Sequence, residues 1–325
     1  MRPHQTRTTD RRSVRLSGLI AALGAVLCLP IFAPFFDRIW WPLELATHFR
    51  LQATLTLGFV TLLVLLLKQR RTAAVLSAVC LFGAAPLFGL YLPRDRGSAP
   101  TGPRVRLALL NVHTSNQEYA RALECIRSLD ADIVVLLETN RRWLTELASL
   151  EEEYPISLLE PRPDNFGLAL FSRLPVEDLR TVVLGEAGVP STLATLTIDG
   201  ERLSLLATHP VPPGGRDGFR LRNEQLAAIP AWLRQLDDHV LLMGDLNCTP
   251  FSSYFVELTR DAELSNAAQG FGLQPTWPTD SLLLRIPIDH CLHSDGIWIS
   301  RFEVGRAFGS DHFPLVVDCV LTSGT

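Results

Sequence analysis

A run of 21 uncharged positions, Leu16 to Phe36, is the feature that most constrains how this chain can fold. At a rise of about 1.5 Å per residue, a helix of this length crosses a hydrocarbon core of about 30 Å. Two further apolar runs follow, and we predict three transmembrane helices at about 16–36, 46–67 and 72–92. No small-residue cleavage site follows the first run, which argues against a cleaved signal peptide.

Basic residues set the predicted orientation of these helices. Five arginines precede the first span and three basic residues within 68–71 separate the second from the third, whereas the loop between the first two is nearly neutral. Cytoplasmic loops carry the excess of Lys and Arg. We therefore predict a multi-pass protein of the cell membrane. Residues 1–15 would be cytoplasmic, residues 93–103 a linker rich in Pro and Gly, and residues 104–325 an external or periplasmic catalytic domain.

The two parts of the chain differ in charge. Residues 1–103 carry 12 Lys/Arg and 4 Asp/Glu, a net charge of +8, whereas residues 104–325 carry 18 and 30, a net charge of −12. A protein that grips long nucleic acid usually presents a basic surface to the phosphates. Membrane lipids are therefore better candidate partners than nucleic acid, and the sequence indicates no protein partner.

Beyond the linker, strand-length apolar runs alternate with turns and a few amphipathic stretches, the pattern of a mixed α/β domain. The clearest hairpin turns at Asp199-Gly200. Helical spacing favours 116–129 and 219–236, the second interrupted near Pro230. Strands are predicted over 105–112, 132–137, 166–172, 192–198, 202–208, 239–243, 297–304 and 315–321.

Several apolar runs stop on a polar residue of a type that binds metal or transfers protons. Because strand ends in a packed sheet gather at one rim, we expect these side chains to lie together. A single carboxylate at such a position is usually a turn residue or a helix cap, but six in one order favour a catalytic site. The six places are Asn111, Glu138, His209, Asp245 with Asn247, Asp289, and Asp311 with His312.

These segments resemble the motifs of the endonuclease/exonuclease/phosphatase superfamily, which includes DNase I-like nucleases, sphingomyelinases and inositol polyphosphate phosphatases. The resemblance covers nearly all of residues 104–325. It implies an α/β (α+β) fold of DNase I-like type, a four-layer α/β/β/α sandwich with the active site at one end of two packed sheets. The matching segments are Leu110-Asn111-Val112, 131–138, 166–173, Thr208-His209-Pro210, Gly244-Asp245-Leu246-Asn247, Ile288-Asp289-His290 and Ser310-Asp311-His312.

The resemblance also implies a role for each strand-end residue. Phosphoester hydrolysis needs a positioned water and stabilised charge on the phosphoryl oxygens, and hard oxygen ligands suit Mg²⁺, for which Mn²⁺ can substitute. Glu138 is the expected first metal ligand, with Asn111 and Asp311 in support. Asp245 would orient and deprotonate the water, and Asn247 would donate a hydrogen bond to a phosphoryl oxygen.

Two histidines are expected to donate hydrogen bonds to the scissile phosphate. These are His209 and His312, and by resemblance Asp289 fixes the tautomer of His312 and favours its cation. The weaker candidates for substrate binding are Asn116, Asn165, Arg216, Arg220 and Arg222. A role as a helix cap is equally open for Asn116. The three arginines fit a solvated loop and helix face as well as a phosphate contact.

The three spans and the proline-rich segment 209–213 resemble the membrane-anchored VanJ-like and YafD-like branch of the superfamily. Lipid-linked pyrophosphate hydrolysis has been associated with the antibiotic-resistance members of that branch. The leading hypothesis is a membrane-anchored, divalent-metal-dependent phosphoesterase acting on a phosphate ester or pyrophosphate, including a lipid-linked one at the external face. One alternative is a membrane-tethered Mg²⁺-dependent endonuclease or exonuclease, and another is a non-catalytic phosphate-binding protein of the same fold.

Overall fold

The structure is a computed structural model that describes residues 16–92, 100–236 and 238–322. The predicted cytoplasmic segment 1–15 and positions 93–99 of the predicted linker lie outside the described residues. The first part of the chain is helical. Its helices are α1 (Leu16–Leu27), α2 (Leu29–Phe32), α3 (Trp41–Thr47), α4 (Arg50–Leu66) and α5 (Arg70–Gly89), with a 3-10 turn at Ala33–Phe35.

The membrane candidates in the described part of the chain differ from the prediction at the second span. Gly18–Phe35 and Arg70–Gly89 are apolar and long enough to cross a membrane. A third crossing exists only if α3 and α4, which meet at 69°, form one broken span. The predicted span 46–67 is therefore not one straight helix. The bend allows polar residues of α3 to pack on the soluble part while α4 keeps an apolar side outward.

Most of the exposed large apolar side chains lie on these helices. On α4, Leu55, Phe59, Leu62 and Leu66 are each more than half exposed, whereas Leu57 is fully buried among the neighbouring helices. Soluble proteins rarely expose so much contiguous apolar surface. This is the exposure expected of helices that face lipid, and two to three of them could cross a membrane.

The rest of the chain forms two six-stranded sheets with helices outside them. The strands are β1 (Arg104–Asn111), β2 (Ile133–Leu137), β3 (Ile156–Glu160), β4 (Leu168–Ser172), β5 (Asp178–Val183), β6 (Pro190–Ile198), β7 (Glu201–Thr208), β8 (His239–Asp245), β9 (Ser265–Asn266), β10 (Asp289–His293), β11 (Ile297–Val304) and β12 (Leu315–Leu321). The helices are α6 (Tyr119–Leu129), α7 (Arg141–Glu146), α8 (Gly215–Leu233) and α9 (Ser253–Asp261). One sheet has the order β11-β12-β1-β2-β4-β3 and the other β5-β6-β7-β8-β10-β9.

Alternating side chains of each strand face different layers, as the pleat requires. In β1, Leu107 and Leu109 pack between the sheets with Leu205 of β7. Ala108 and Leu110 face the opposite way and pack with residues of α6 and α7. Residues of α8 and α9 cover the outer face of the second sheet. The described layers confirm the predicted α/β/β/α sandwich.

Two helices differ from the ranges that the spacing predicts. Helix α6 begins after Asn116, whose side chain closes a turn by accepting a hydrogen bond from the N–H of Glu118 at 2.9 Å. Helix α8 begins earlier than predicted and continues through Pro230 without interruption. Pro230 cannot donate to the carbonyl one turn earlier. Burial of Leu226 and Leu233 on either side of it keeps this stretch helical.

The helical part contacts the soluble part directly. The carboxylate of Asp37 accepts hydrogen bonds from the N–H and the hydroxyl of Ser253, at 3.0 and 2.7 Å, where α9 begins. The carbonyl of Leu90 accepts from the N–H groups of Gly270 and Gly272 at 2.7 and 3.0 Å. These contacts lie before α3 and after α5 in the chain, so both ends of the segment that contains α3, α4 and α5 are held against the soluble part.

We expect Trp143→Ala to lower the free energy of unfolding by about 3–5 kcal/mol, because it removes a large buried ring. Trp143 is fully buried in α7, and its ring centroid lies 4.6 Å from that of Tyr119. Urea unfolding of the full chain in detergent, followed by circular dichroism, measures the loss. The control is Arg141→Ala, an exposed change in the same helix. A loss below about 1 kcal/mol for Trp143→Ala would contradict the described packing.

Candidate active site

The strand-end residues gather at one edge of the two sheets. Asn111 ends β1, and Glu138 directly follows β2, the parallel partner of β1. In the second sheet, Asp245 ends β8 and His209 directly follows its parallel neighbour β7. The antiparallel strand β10 begins at Asp289, opposite Asp245 in the register. The pairing of the strands therefore brings five polar side chains to the same rim.

These strand ends surround a cavity of about 410 Å³, a size typical of a small-molecule site. Leu45 and His48 from the helical part also line it, as does Trp277, and the sequence patterns predicted none of the three. The cavity is therefore built from both parts of the chain. The predicted residues that line it are Glu138, Asn165, His209, Asp245, Asn247, Asp311 and His312.

Glu138 is held at the rim by its backbone and by two donors. The side-chain amide of Asn111 donates to Glu138 Oε1 at 3.0 Å, and the N–H of Thr114 donates to Oε2 at 3.2 Å. Glu138 has a φ of 62°, in the left-handed region that is costly for a residue with a Cβ and is often retained at functional sites. Its carboxylate therefore has a fixed position beside Asn111.

Asp245 and Asn247 share one tight turn. The N–H of Asn247 donates to Asp245 Oδ1 at 2.9 Å, and the Asn247 side-chain amide donates to the carbonyl of Pro210 at 3.0 Å. A Cβ at Gly244 would lie 1.8 Å from the carbonyl oxygen of Thr208. Only glycine therefore allows β8 to approach the end of β7 closely enough to place Asp245 at the rim.

His312 and Asp289 form a buried pair. His312 Nδ1 lies 2.8 Å from Asp289 Oδ2, and the Thr276 hydroxyl accepts a hydrogen bond from the N–H of Asp289 at 3.3 Å. Burial alone would lower the pKa of His312, but the charge and hydrogen bond of Asp289 raise it to about 10. His312 is therefore a cation at neutral pH, and its Nε2 lies 3.7 Å from Asp245 Oδ2.

Asp245 is difficult to ionise in this environment. Burial, and then repulsion by Asp289, raise the pKa of Asp245 to about 8. His209 Nε2 lies 3.5 Å from Asp245 Oδ2, but burial lowers the pKa of His209, so that ring is neutral and supplies no full positive charge. A divalent cation stabilises ionised carboxylates in such a site. Without a cation beside it, Asp245 is therefore largely protonated at neutral pH.

Two groups of residues in the described part of the chain could hold such an ion. Asp245, Asp289 and His312 each place a ligand atom within 4.8 Å of the others. Glu138 is the second candidate. We favour Glu138, because Asp289 and His312 already bond to each other through the atoms at 2.8 Å, and because carboxylate oxygens are hard ligands that Mg²⁺ prefers. Asn111, predicted as a supporting ligand, turns its side-chain NH2 toward Glu138, and its Oδ1 accepts a hydrogen bond from the N–H of His113 at 3.0 Å, so that it positions Glu138 instead.

Asp311, predicted as a further metal ligand, lies at the opening of the cavity. Its Oδ2 accepts a hydrogen bond from the indole N–H of Trp277 at 3.0 Å. Its Oδ1 lies 3.3 Å from His113 Nδ1, and the side chain is 40% exposed. The rings of Trp277 and His113 thus orient the Asp311 carboxylate. Trp277 comes from a part of the sequence that is distant from Asp311.

The weaker substrate-binding candidates are dispersed. Asn165 lines the cavity, and Arg216 is exposed in the first turn of α8. Asn116 forms the turn before α6. Arg220 forms surface ion pairs, and Arg222 is fully buried beneath α3. None of the three arginines lines the cavity, but Arg216 lies two residues after the lining residue Gly214. Arg220 and Arg222 are already held in ion pairs, so we leave these two out of the proposed site.

We expect Asp289→Asn to lower kcat by about 10–100-fold, the usual effect of losing a carboxylate that orients a functional histidine. The change removes the charge that keeps His312 protonated while retaining the shape of the side chain. Steady-state hydrolysis of a phosphoester by the purified full chain measures it. The control is Asp295→Asn, an exposed residue of the loop after β10. A kcat equal to that of the unchanged protein would show that the pair has no catalytic role.

Two packed mixed sheets, outer helices and a rim of carboxylates and histidines define a DNase I-like phosphoesterase fold. The chain belongs to the endonuclease/exonuclease/phosphatase family, whose sequence profile matches residues 108–312. Members of this superfamily are hydrolases that act on phosphoester bonds, and family members use divalent metals.

Solved structures of low sequence identity share the fold. The human nocturnin catalytic domain with bound sulfate matches with a TM-score of 0.57 and 20% identity, covering 69% of this chain and 97% of that one. D. rerio TDP2 with a single-strand DNA product gives 0.55 and 16%, covering 66% and 98%. Sphingomyelinase C from Streptomyces griseocarneus gives 0.51 and 18%, covering 66% and 99%. No curated protein sequence matches significantly.

Proposed function

We propose that this protein is a membrane-anchored, divalent-metal-dependent phosphoesterase of the VanJ-like and YafD-like branch, acting on a lipid-linked phosphate ester or pyrophosphate at the external membrane face. One observation carries the proposal. Glu138, Asp245 and His312 line the same cavity as Leu45, which belongs to α3, the first helix of the candidate broken span formed by α3 and α4. A phosphate held at this site would be close to the membrane segment. The net charge of −12 over residues 104–325 disfavours long nucleic acid.

The arrangement supports in-line attack of water on phosphorus. Glu138, positioned by Asn111 and with Asp311 at the opening, would hold the divalent cation, Mg²⁺ or in its place Mn²⁺, which would supply Lewis-acid stabilisation of the phosphoryl oxygens. In its ionised form, Asp245 would orient the attacking water and accept its proton as general base. The turn that joins it to Asn247 fixes the direction of its Oδ1 through the bond of 2.9 Å.

Hydrogen-bond donors would surround the phosphoryl oxygens. His312 carries a full positive charge and presents Nε2, while the neutral ring of His209 presents one N–H. Asn247 donates one amide hydrogen to a backbone carbonyl and retains the second for the substrate. Asn165 lines the cavity, and the exposed Arg216 is the candidate contact for a second phosphate.

We expect the catalytic part to face outward, because the basic residues flank the predicted cytoplasmic ends of the spans. An alkaline phosphatase reporter, which is active only outside the cytoplasm, should be active when fused after Thr325 and inactive when fused after Lys68. The fusion after Thr325 carries Asp245→Asn, so that the chain's own activity does not contribute. The reverse pattern at equal expression would overturn the topology.

A substrate panel tests the proposed function. Purified full chain in detergent with Mg²⁺ or Mn²⁺ is offered a polyprenyl pyrophosphate, phospholipids and plasmid DNA. We expect hydrolysis of the polyprenyl pyrophosphate above the rate of a matched sample with EDTA. Preferred cleavage of DNA would instead support the tethered nuclease. If no phosphoester is hydrolysed with either metal, the enzyme reading fails and the chain is a binding protein.

A further inference from the structure

Helix α3 forms part of the wall of the catalytic cavity. Leu45 and His48 line it together with Asp245 and His312, although about two hundred residues separate the two pairs in the sequence. Leu45 lies in α3 and His48 directly follows it, at the break of the candidate broken span, which bends by 69° before α4. The bend therefore places one turn of helix against the site in addition to anchoring the chain.

A buried ion pair holds α3 in this place. Arg222 and Glu44 have side chains with no exposed surface, and their closest charged atoms lie 2.8 Å apart. The same guanidinium donates to the carbonyl of Asn247 at 2.6 Å. Removing one partner of a buried pair leaves an uncompensated charge, so the two elements are expected to move together. Leu45, one residue after Glu44, is thereby held at a constant distance from the turn that carries Asp245 and Asn247, called the catalytic turn below.

A second contact acts in the same direction. His48 Nδ1 lies 3.2 Å from the hydroxyl of Thr249, which follows the catalytic turn, and both residues are buried. Helix α3 and the residue after it are thus tied to the Asp245–Thr249 segment at two points one helical turn apart. Glu44 reaches the segment through Arg222, and His48 contacts it directly. A helix that only connected two membrane spans would not need polar contacts with the catalytic turn at both Glu44 and His48.

Part of the cavity wall is apolar, and the segment that supplies it contacts the start of α4. Ile286 and Ile288 line the cavity, and the amide of Gln52 at the start of α4 donates to the carbonyl of Arg285 at 3.1 Å. The three residues before Arg285, Leu282–Leu284, are 79%, 79% and 53% exposed. Three exposed leucines next to the start of an apolar helix fit contact with lipid better than contact with water.

We propose that Leu45, Ile286 and the Leu282–Leu284 loop form the binding site for the apolar chain of a lipid-linked phosphoester, which makes Leu45 a specificity-determining residue. The proposal rests on the phosphoesterase function proposed above. The phosphate binds among Glu138, Asp245 and His312, and the chain leaves along the apolar wall toward α4. A water-soluble substrate with the same phosphate group uses the first part of this site and not the second.

The test compares two substrates with one reacting group, a long-chain polyprenyl pyrophosphate and a water-soluble short-chain prenyl pyrophosphate. Full chain with Mg²⁺ in mixed micelles of constant composition is assayed for kcat/KM on each. Leu45→Gln is expected to lower the ratio of long-chain to short-chain kcat/KM about tenfold. Leu43→Gln, a half-buried change on the same helix outside the cavity, is the control, and Leu45→Met should restore the long-chain rate.

A second variant keeps the test valid if Leu45→Gln folds poorly. Leu283→Gln changes an exposed side chain and should lower the ratio of long-chain to short-chain kcat/KM by at least about threefold. Equal losses on both substrates, or no change in the ratio for either variant, would overturn the apolar-chain site while leaving the phosphoesterase intact. If the unchanged protein hydrolyses neither substrate, the proposed function itself fails, and this inference fails with it.

Discussion

Asp245→Asn is expected to lower kcat by about 10²–10⁴-fold, the usual contribution of a positioned general base. Asn keeps the oxygen that accepts the Asn247 N–H at 2.9 Å, so the catalytic turn is retained while the proton acceptor is lost. KM for the phosphoester should change little, because the donors to the phosphate remain. The measurement is steady-state hydrolysis with saturating Mg²⁺.

The same variant should be more stable than the unchanged protein in the absence of metal. Burial and Asp289 raise the pKa of Asp245 from 3.8 to about 8, so the fold favours its protonated form. That stability is present at low pH and is lost as the pH rises from the unfolded to the folded pKa. Asn at 245 does not titrate, so its advantage should grow across this interval and level off above about pH 8.

Thermal unfolding with EDTA at several pH values measures this advantage, and Asp295→Asn serves as the exposed control. A variant that is inactive and also unfolded would contradict both expectations, since the loss of activity would then come from the fold. A variant that is folded and fully active would remove Asp245 from the mechanism. An inactive variant with higher stability is the outcome expected of a residue kept for catalysis at a cost in folding free energy.

The parts of this fold that local sequence determines were predictable. Strands 297–304 and 315–321 have the predicted bounds. The hairpin at Asp199-Gly200 has both turn residues at positive φ, 51° and 88°, as its residue types indicate. Strand β5 was missed because its residues are half-buried or exposed with no regular alternation, so it lacks the pattern that identifies a strand.

The gathering of strand-end residues at one rim was predictable to the same extent. Glu138 and Asp245 directly end apolar runs, so their placement follows from the strands themselves. Leu45 and Trp277 line the same cavity, but they reach it through packing between distant segments, which periodicity does not report. Arg222 was read as a surface or phosphate-binding residue, because nothing in α8 shows that Glu44 of another helix lies 2.8 Å away.

Glu138→Gln is expected to lower kcat/KM by about a thousandfold, since several kcal/mol of metal-ion stabilisation in the transition state correspond to that factor. Gln can adopt the same left-handed backbone, φ 62°, and keeps one oxygen for the Thr114 N–H at 3.2 Å. The change therefore removes charge at the proposed metal position with little change in shape. Glu124→Gln, on the exposed face of α6, is the control.

Two measurements separate a metal effect from a structural one. Activity as a function of Mg²⁺ concentration should require more metal for half-maximal rate in Glu138→Gln, and calorimetric titration with Mn²⁺ should show weaker binding. Circular dichroism should be unchanged. In each assay Glu124→Gln should follow the unchanged protein.

The same experiment decides between the two groups that could hold the ion. If Glu138 is the ligand, Asp289→Asn should reduce kcat through His312 while the Mn²⁺ affinity stays within about twofold, because Asp289 bonds to the imidazole at 2.8 Å. If the ion instead lies among Asp245, Asp289 and His312, whose ligand atoms are within 4.8 Å, Asp289→Asn should lose the Mn²⁺ affinity and Glu138→Gln should keep it. That second result would assign the metal to the Asp245, Asp289 and His312 group. Glu138 would then serve only as the hydrogen-bond acceptor that holds Asn111 and Thr114 in place.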